Sequence, residues 1–181
     1  MRRILLLTLS VIALCGCQKA QEPAGGAQEV MENAETEKIT DGLLEKVRIS
    51  GAEVYALPGY EQDGNMIRAY MDGLSEDIFL ENKDRQAALD EYAETYRGYI
   101  DSLGYTVTGD ELLSQSPSFI LQKLTYAGMV GGEERSGAYL LYSGDVLAGT
   151  VVYVINVPLS GLGDYGSAAL GELLEKLGES D

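Results

Sequence analysis

Between residues 85 and 103, apolar side chains fall at Leu89, Tyr92, Tyr96, Tyr99, Ile100 and Leu103, in steps of three and four. That spacing predicts an amphipathic helix. Asp90, Glu91, Glu94, Thr95 and Arg97 fill its other face. Asn82 or Asp84 stands where a capping side chain is needed, and Gly104 is placed to end the helix. A second stripe, Ala168, Ala169, Leu170, Leu173, Leu174 and Leu177, predicts a last helix. Asp164 is its expected N-cap, and Glu172 falls on its expected wet face.

Between the two helices the period changes. Residues 106–113, 119–127, 133–142 and 146–157 read as strands of an antiparallel meander, with residues 114–117 as a loop. The expected joints are Gly131-Gly132 and Ser143-Gly144-Asp145. Along 146–157 both faces are apolar: Leu147, Val151, Tyr153 and Ile155 on one, Val146, Val152 and Val154 on the other. Such a strand belongs in the middle of a sheet covered on both sides. Ahead of the first helix, residues 47–55 read as one extended run. Residues 65–71 lead into Asp72-Gly73, a favoured two-residue hairpin turn, and a further extended run lies around residues 77–80. Together these elements predict an α+β fold, an antiparallel β-sheet covered by helices as an α/β/α sandwich.

The N-terminus is a different kind of sequence. Met1-Arg2-Arg3 precedes an apolar run from Ile4 to Leu14 that is too short for a spanning helix, which needs about 20 residues. A basic start and a short apolar run fit an export signal. The run ends in Leu14-Cys15-Gly16-Cys17, which resembles the bacterial lipobox. The resemblance implies cleavage before Cys17, a diacylglycerol on its sulfur and often an acyl chain such as palmitate on its new amino group. Two chains make an anchor stable where one is marginal. Residues 18–40 hold Val30, Met31 and Ile39 as their only large apolar side chains, which predicts a flexible acidic tether reaching roughly 26 Å. The expected organisation is a signal peptide over 1–16, lipidated Cys17 and tether over 17–40, and a single domain over 41–181.

The charge balance narrows the partners. Lys and Arg number 13 against 29 Asp and Glu, a net charge of −16, and loss of Arg2 and Arg3 with the signal makes it more negative. Such a surface repels nucleic acid and anionic head groups, so nucleic-acid binding is not expected and the lipid must do the anchoring. The chain has 2 Cys and no His. Cys15 leaves with the signal and Cys17 is blocked, so no disulfide, thiol nucleophile or thiolate metal site is expected. Lack of histidine removes imidazole triads and the usual zinc sites. No cofactor is expected.

What chemistry remains lies in carboxylates, hydroxyls and lysines. The carboxylate pairs Glu76/Asp77, Asp90/Glu94 and Glu133/Glu134 are candidates for acid–base work. With 29 acidic residues, such pairs follow from composition, so they read as solvated faces and turns. Asp63-Gly64-Asn65, and Asp72-Gly73 with Glu76 and Asp77, come nearest to a calcium loop without matching one. The stripe Tyr92, Tyr96, Tyr99 reads first as core packing and second as the wall of a ligand pocket. Gly128–Gly132 and Gly161–Gly163 lack the lysine and spacing of a phosphate loop and read as turns.

The order of elements also carries a resemblance. The stretches Ala52-Glu53-Val54-Tyr55-Ala56-Leu57-Pro58-Gly59-Tyr60, Tyr139-Leu140-Leu141-Tyr142-Ser143-Gly144-Asp145 and Val151-Val152-Tyr153-Val154-Ile155-Asn156-Val157-Pro158, with one helix between the first two and one after the third, resemble the PsbP-like fold. That fold also occurs in DcrB-type bacterial lipoproteins. The resemblance spans residues 45–178 and implies a mostly non-enzymatic family with no shared catalytic set. The expected function is a non-enzymatic accessory or binding module of the cell envelope. It would be extracytoplasmic, lipid-anchored to a bacterial membrane through Cys17, with an envelope protein or small ligand as its partner. The alternative is an enzyme built on carboxylates, Ser or Tyr. A concave pocket with convergent polar groups distinguishes a site from a plain surface.

Overall fold

The computed structural model describes residues 42–179. The expected signal peptide, Cys17 and the tether lie outside the described residues. Two antiparallel sheets and two helices make up the α+β fold. Strands β1 (Glu45–Ile49) and β2 (Ala52–Ala56) form a hairpin of their own. The larger sheet has 7 strands. These are β3 (Glu61–Asp63), β4 (Met66–Met71), β5 (Leu74–Glu81), β6 (Thr106–Gln115), β7 (Phe119–Val130), β8 (Glu133–Val146) and β9 (Gly149–Val157). They lie side by side in the order β3-β4-β5-β9-β8-β7-β6. Helix α1 (Arg85–Ser102) joins β5 to β6, and α2 (Asp164–Gly178) follows β9.

The two-faced strand is at the centre of this order, as its apolar pattern predicts. One face of the sheet, with Leu124, Leu141, Val152 and Val154, receives Ala88, Leu89, Ala93 and Ile100 of α1. The opposite face, with Ile67, Ile78, Leu140, Tyr153 and Ile155, receives both the hairpin and α2. Among the described residues no helix is long and apolar enough to cross a membrane.

The hairpin shares no backbone ladder with the large sheet. Two side chains of the sheet pin it instead. Tyr153 Oη accepts from the Tyr55 N–H at 3.1 Å and donates to the Tyr55 carbonyl at 3.0 Å. Glu76 Oε2 accepts from the Leu57 N–H at 2.9 Å.

Several element boundaries depart from the sequence reading, each for a visible reason. Residues 47–55 are not one run, because Ser50 and Gly51 both take positive φ (46° and 93°) and fold the chain back. Ser143-Gly144-Asp145 is not a joint. It lies inside β8, where Ser143 pairs with Ile120 and Val152, and Gly144 with Phe119 and Val151. The turn is two residues later, and Leu147 at its tip is fully exposed. An apolar residue there reads as strand in sequence although nothing covers it.

Asp164 does not cap α2. The N-cap is Gly163, which has no side chain to offer, and the cap comes from elsewhere in the chain. Asp72 and Gly73 have φ of 48° and 89°, the left-handed pair that a tight hairpin needs. This turn brings Asp72 Oδ2 to the Tyr165 N–H at 3.0 Å and the Gly166 N–H at 3.3 Å. A carboxylate at a helix N-terminus satisfies orphan donors and complements the dipole. A Cβ on Gly166 would come within 2.5 Å of the Asp72 carbonyl oxygen, so close docking of turn and helix requires glycine there. For α1 the capping residue is Asp84, whose Oδ1 accepts from the Ala87 N–H at 3.0 Å.

Candidate functional site

Helix α1 spends its apolar stripe on the β6–β9 half of the sheet, and the β4 side of the same face is left open. Arg68 and Tyr70 of β4 project there and are exposed. Strand pairing builds a floor of two cross-strand rows. One runs Tyr70, Ser75, Asn156, Tyr139, and the other Arg68, Asp77, Val154, Leu141. Thr95, Tyr96 and Tyr99 of α1 form the wall. Between floor and wall lies a groove of about 460 Å³. It continues into a hollow of about 310 Å³ that shares Tyr99, Tyr139 and Asn156 and adds Tyr105, Tyr126 and Leu159.

The rings line up. Tyr96 stands 6.2 Å from Tyr99 and 4.8 Å from Tyr139, Tyr139 is 5.5 Å from Tyr126, and Tyr126 stacks on Tyr105 at 5.8 Å. Burial, with the nearby Asp77 charge second, pushes the Tyr96 phenol up to about 12, and burial raises Tyr126 to about 12. Tyr139 is also raised, burial again being the main cause. These three phenols are therefore neutral at ordinary pH, and each carries a proton to donate.

Polar groups converge on the same space. Arg68 grips Asp77 through Nε at 2.7 Å and Nη2 at 3.5 Å, and Tyr96 Oη donates to Asp77 Oδ2 at 3.4 Å. Tyr126 Oη donates to Asn156 Oδ1 at 3.0 Å, which turns the Asn156 amide donors away from Tyr126. Tyr139 is 6% exposed, yet its hydroxyl has no hydrogen-bond partner among the described residues. The same holds for the Asn156 NH₂ and the Ser75 hydroxyl.

The candidates from sequence scatter. Glu76 and Asp77 are neighbours on a strand, so they point to opposite faces and cannot act as a pair. Asp77 is in the groove, whereas Glu76 is fully buried beneath the hairpin, contrary to the expected solvated position. Burial raises its carboxyl from 4.5 to about 7, only partly offset by the Leu57 N–H, and its Oε1 has no partner among the described residues. Asp90 and Glu94 are exposed on the outer side of α1, and Asp90 accepts from Gln86 at 2.8 Å. Glu133 and Glu134 flank the β7–β8 turn, with Glu133 3.4 Å from Arg135. Asp63-Gly64-Asn65 makes the β3–β4 turn, and the Asn65 carbonyl accepts from the Leu80 N–H at 3.0 Å. Asp72 is occupied in capping α2. Among the described residues no three His, Cys, Asp or Glu come together as a metal would need.

The tyrosine stripe divides. Tyr92 packs on Phe79 at 4.8 Å and donates to Glu81 at 2.8 Å, whereas Tyr96 and Tyr99 face the groove. Sequence reasoning missed Arg68, Ser75, Tyr139 and Asn156. One signal was available: Asn156 follows apolar Val152 and Val154 on the same face of β9.

No protein-family model matches the chain, and no curated protein matches it. Among solved structures it is similar to the crystal structure of PA94, a protein of unknown function from Pseudomonas aeruginosa. That likeness has 10% identity over 77% of this chain and 96% of the other, at a TM-score of 0.35. At that level it bears on neither the fold nor the function.

Proposed function

We propose that the chain is a non-enzymatic binding module of the bacterial cell envelope, held at an extracytoplasmic membrane surface by lipid on Cys17, with the tyrosine-walled groove as its ligand site. One observation carries the groove: Tyr139, Asn156 and Ser75 leave donors unpaired where a concave, aromatic space meets them. Ser75 and Asn156 are half-buried and Tyr139 is nearly buried, which leaves their donors within reach of an outside acceptor in a concave site. Binding is favoured over catalysis by the state of the groove's charges. Asp77, the carboxylate in the groove's lining, already has its oxygens engaged, Oδ1 by Arg68 and Oδ2 by Arg68 and Tyr96. The element order that resembles the PsbP-like and DcrB-type lipoproteins supports the same address and a non-enzymatic role.

Ligand-observed NMR on the full chain, with neutral, anionic and cationic fragments, tests the groove. Bound fragments are expected to be lost in Ser75→Trp, which fills the floor, and retained in Tyr165→Ala, which is exposed and outside the groove. Fragments that persist in Ser75→Trp, or a wild type that binds none, would remove the groove as a ligand site. The address is tested separately. A bacterial host fed labelled palmitate should label the wild-type chain and leave Cys17→Ser unlabelled and released from membranes. An unlabelled wild type overturns the anchor.

A further inference from the structure

We infer that the groove takes a neutral oligosaccharide, with Tyr99 and Tyr70 as stacking faces and Tyr139, Asn156 and Ser75 as the groups that read its hydroxyl and carbonyl oxygens. This rests on the groove being the ligand site. Four observations narrow the ligand class.

Charge comes first. The Arg68–Asp77 pair leaves the groove centre close to neutral, so neither a cation nor an anion finds an unpaired countercharge there. The chain's net charge of −16 adds a field that repels anionic ligands. Polarity comes second. A purely apolar ligand would bury the free donors of Tyr139, Asn156 and Ser75 without partners, which is costly. The ligand must bring acceptors, and several of them.

Third, the floor excludes an extended peptide as the natural occupant. Strand-adding peptides bind through exposed backbone groups at a sheet edge. Here the floor strands β5 and β9 are interior, while β4 is paired on both sides only at Met66, Ile67 and Arg68, so the groove floor presents side chains rather than main-chain partners. Recognition by side chains alone suits a ligand whose own polar groups radiate from a rigid ring. Fourth, flat aromatic faces are on offer. Tyr99 is 48% exposed and Tyr70 is 69% exposed, and both border the polar cluster. The axial C–H faces of a pyranose stack on such rings while its equatorial hydroxyls reach the floor. The continuation past Tyr99 toward Tyr105 and Tyr126 gives a second sugar ring somewhere to sit.

The chain has no Trp, and Tyr96, Tyr99, Tyr105, Tyr126 and Tyr139 of its 12 Tyr line the groove and its continuation, so occupancy should change the tyrosine emission. Titrating the full chain with the β-1,4-linked tetramer of N-acetylglucosamine and with cellotetraose should give a saturable change in tyrosine emission for at least one of them. Tyr99→Ala and Asn156→Ala should each weaken that binding by about tenfold, and Tyr165→Ala should leave it unchanged. Melting curves check that each variant is folded. Silence with both sugars overturns the saccharide assignment. If a neutral tetrapeptide or a fatty acid binds instead, and Tyr99→Ala abolishes it, the groove stands as a ligand site and the ligand class is wrong. A sugar response that survives both groove variants overturns the assignment of the site itself.

Discussion

Leu173→Ala is expected to destabilise the domain by about 2–5 kcal/mol, measured by urea unfolding. Leu173 lies on α2 with no exposed surface, in one apolar cluster with Ala69, Leu74, Ile155 and the hairpin residues Val47 and Val54. Truncation leaves a cavity between the helix and a sheet whose backbone is fixed by its ladders, so little relaxation can fill it. Leu174 is only half-buried and should cost less. Glu172 is not the wet-face control that the helical wheel suggests: its Oε2 accepts from the Leu43 N–H at 2.8 Å and ties the chain ahead of β1 to the helix. The proper control is exposed Glu175, where alanine should stay within about 0.5 kcal/mol. If Leu173→Ala were as mild as Glu175→Ala, α2 would not be a covering layer.

The parts of this fold that were legible in sequence are those decided by the burial pattern or by local turn chemistry. The stripe Leu89, Ile100 gives α1, the two-faced run of Val151 to Ile155 gives the central strand, and Asp72-Gly73 gives its hairpin turn. Illegible parts are decided by groups distant in the chain. Ser143-Gly144-Asp145 looks like a turn until β7 and β9 pair with it from both sides. The cap on α2 comes from a turn about ninety residues earlier, as the separations of 93 and 94 show.

The groove was half legible. Helical spacing places Tyr96 and Tyr99 on one stripe, and core packing is the default for such a stripe. What turns them into a wall is how far α1 reaches across the sheet, which depends on where Leu89, Ala93 and Ile100 find partners in β7, β8 and β9. Arg68, Ser75 and Asn156 then share a face only because of the β4-β5-β9 register. Glu76 was read as a solvated acid for the opposite reason. Composition makes surface the default for carboxylates, and only the hairpin closing over β5 removes it from water.

Glu76 should make the domain lose stability as pH rises. Its carboxyl titrates near 4.5 in the unfolded chain and at about 7 in the fold, chiefly because burial disfavours the charged form, with Asp77 adding a smaller push in the same direction. The folded state therefore holds the proton more tightly. The contribution is fully present below pH of about 4.5 and is lost as pH climbs through about 7. At about 1.4 kcal/mol per unit, the loss is roughly 3 kcal/mol. Glu76→Gln keeps an oxygen for the Leu57 N–H and has no proton to lose. Unfolding in urea at pH 5 and pH 8 should show the variant near wild type at the lower pH and more stable by roughly 3 kcal/mol at the higher one. Comparing the two proteins at each pH cancels the mutual repulsion of the other carboxylates, which changes with pH in both alike. The Leu57 amide supplies a local readout. It is bonded to Glu76 Oε2, so its hydrogen exchange should report opening of the hairpin when the buried carboxyl ionises. Equal pH slopes in variant and wild type would mean that water reaches Glu76 and that the hairpin does not seal the face it covers.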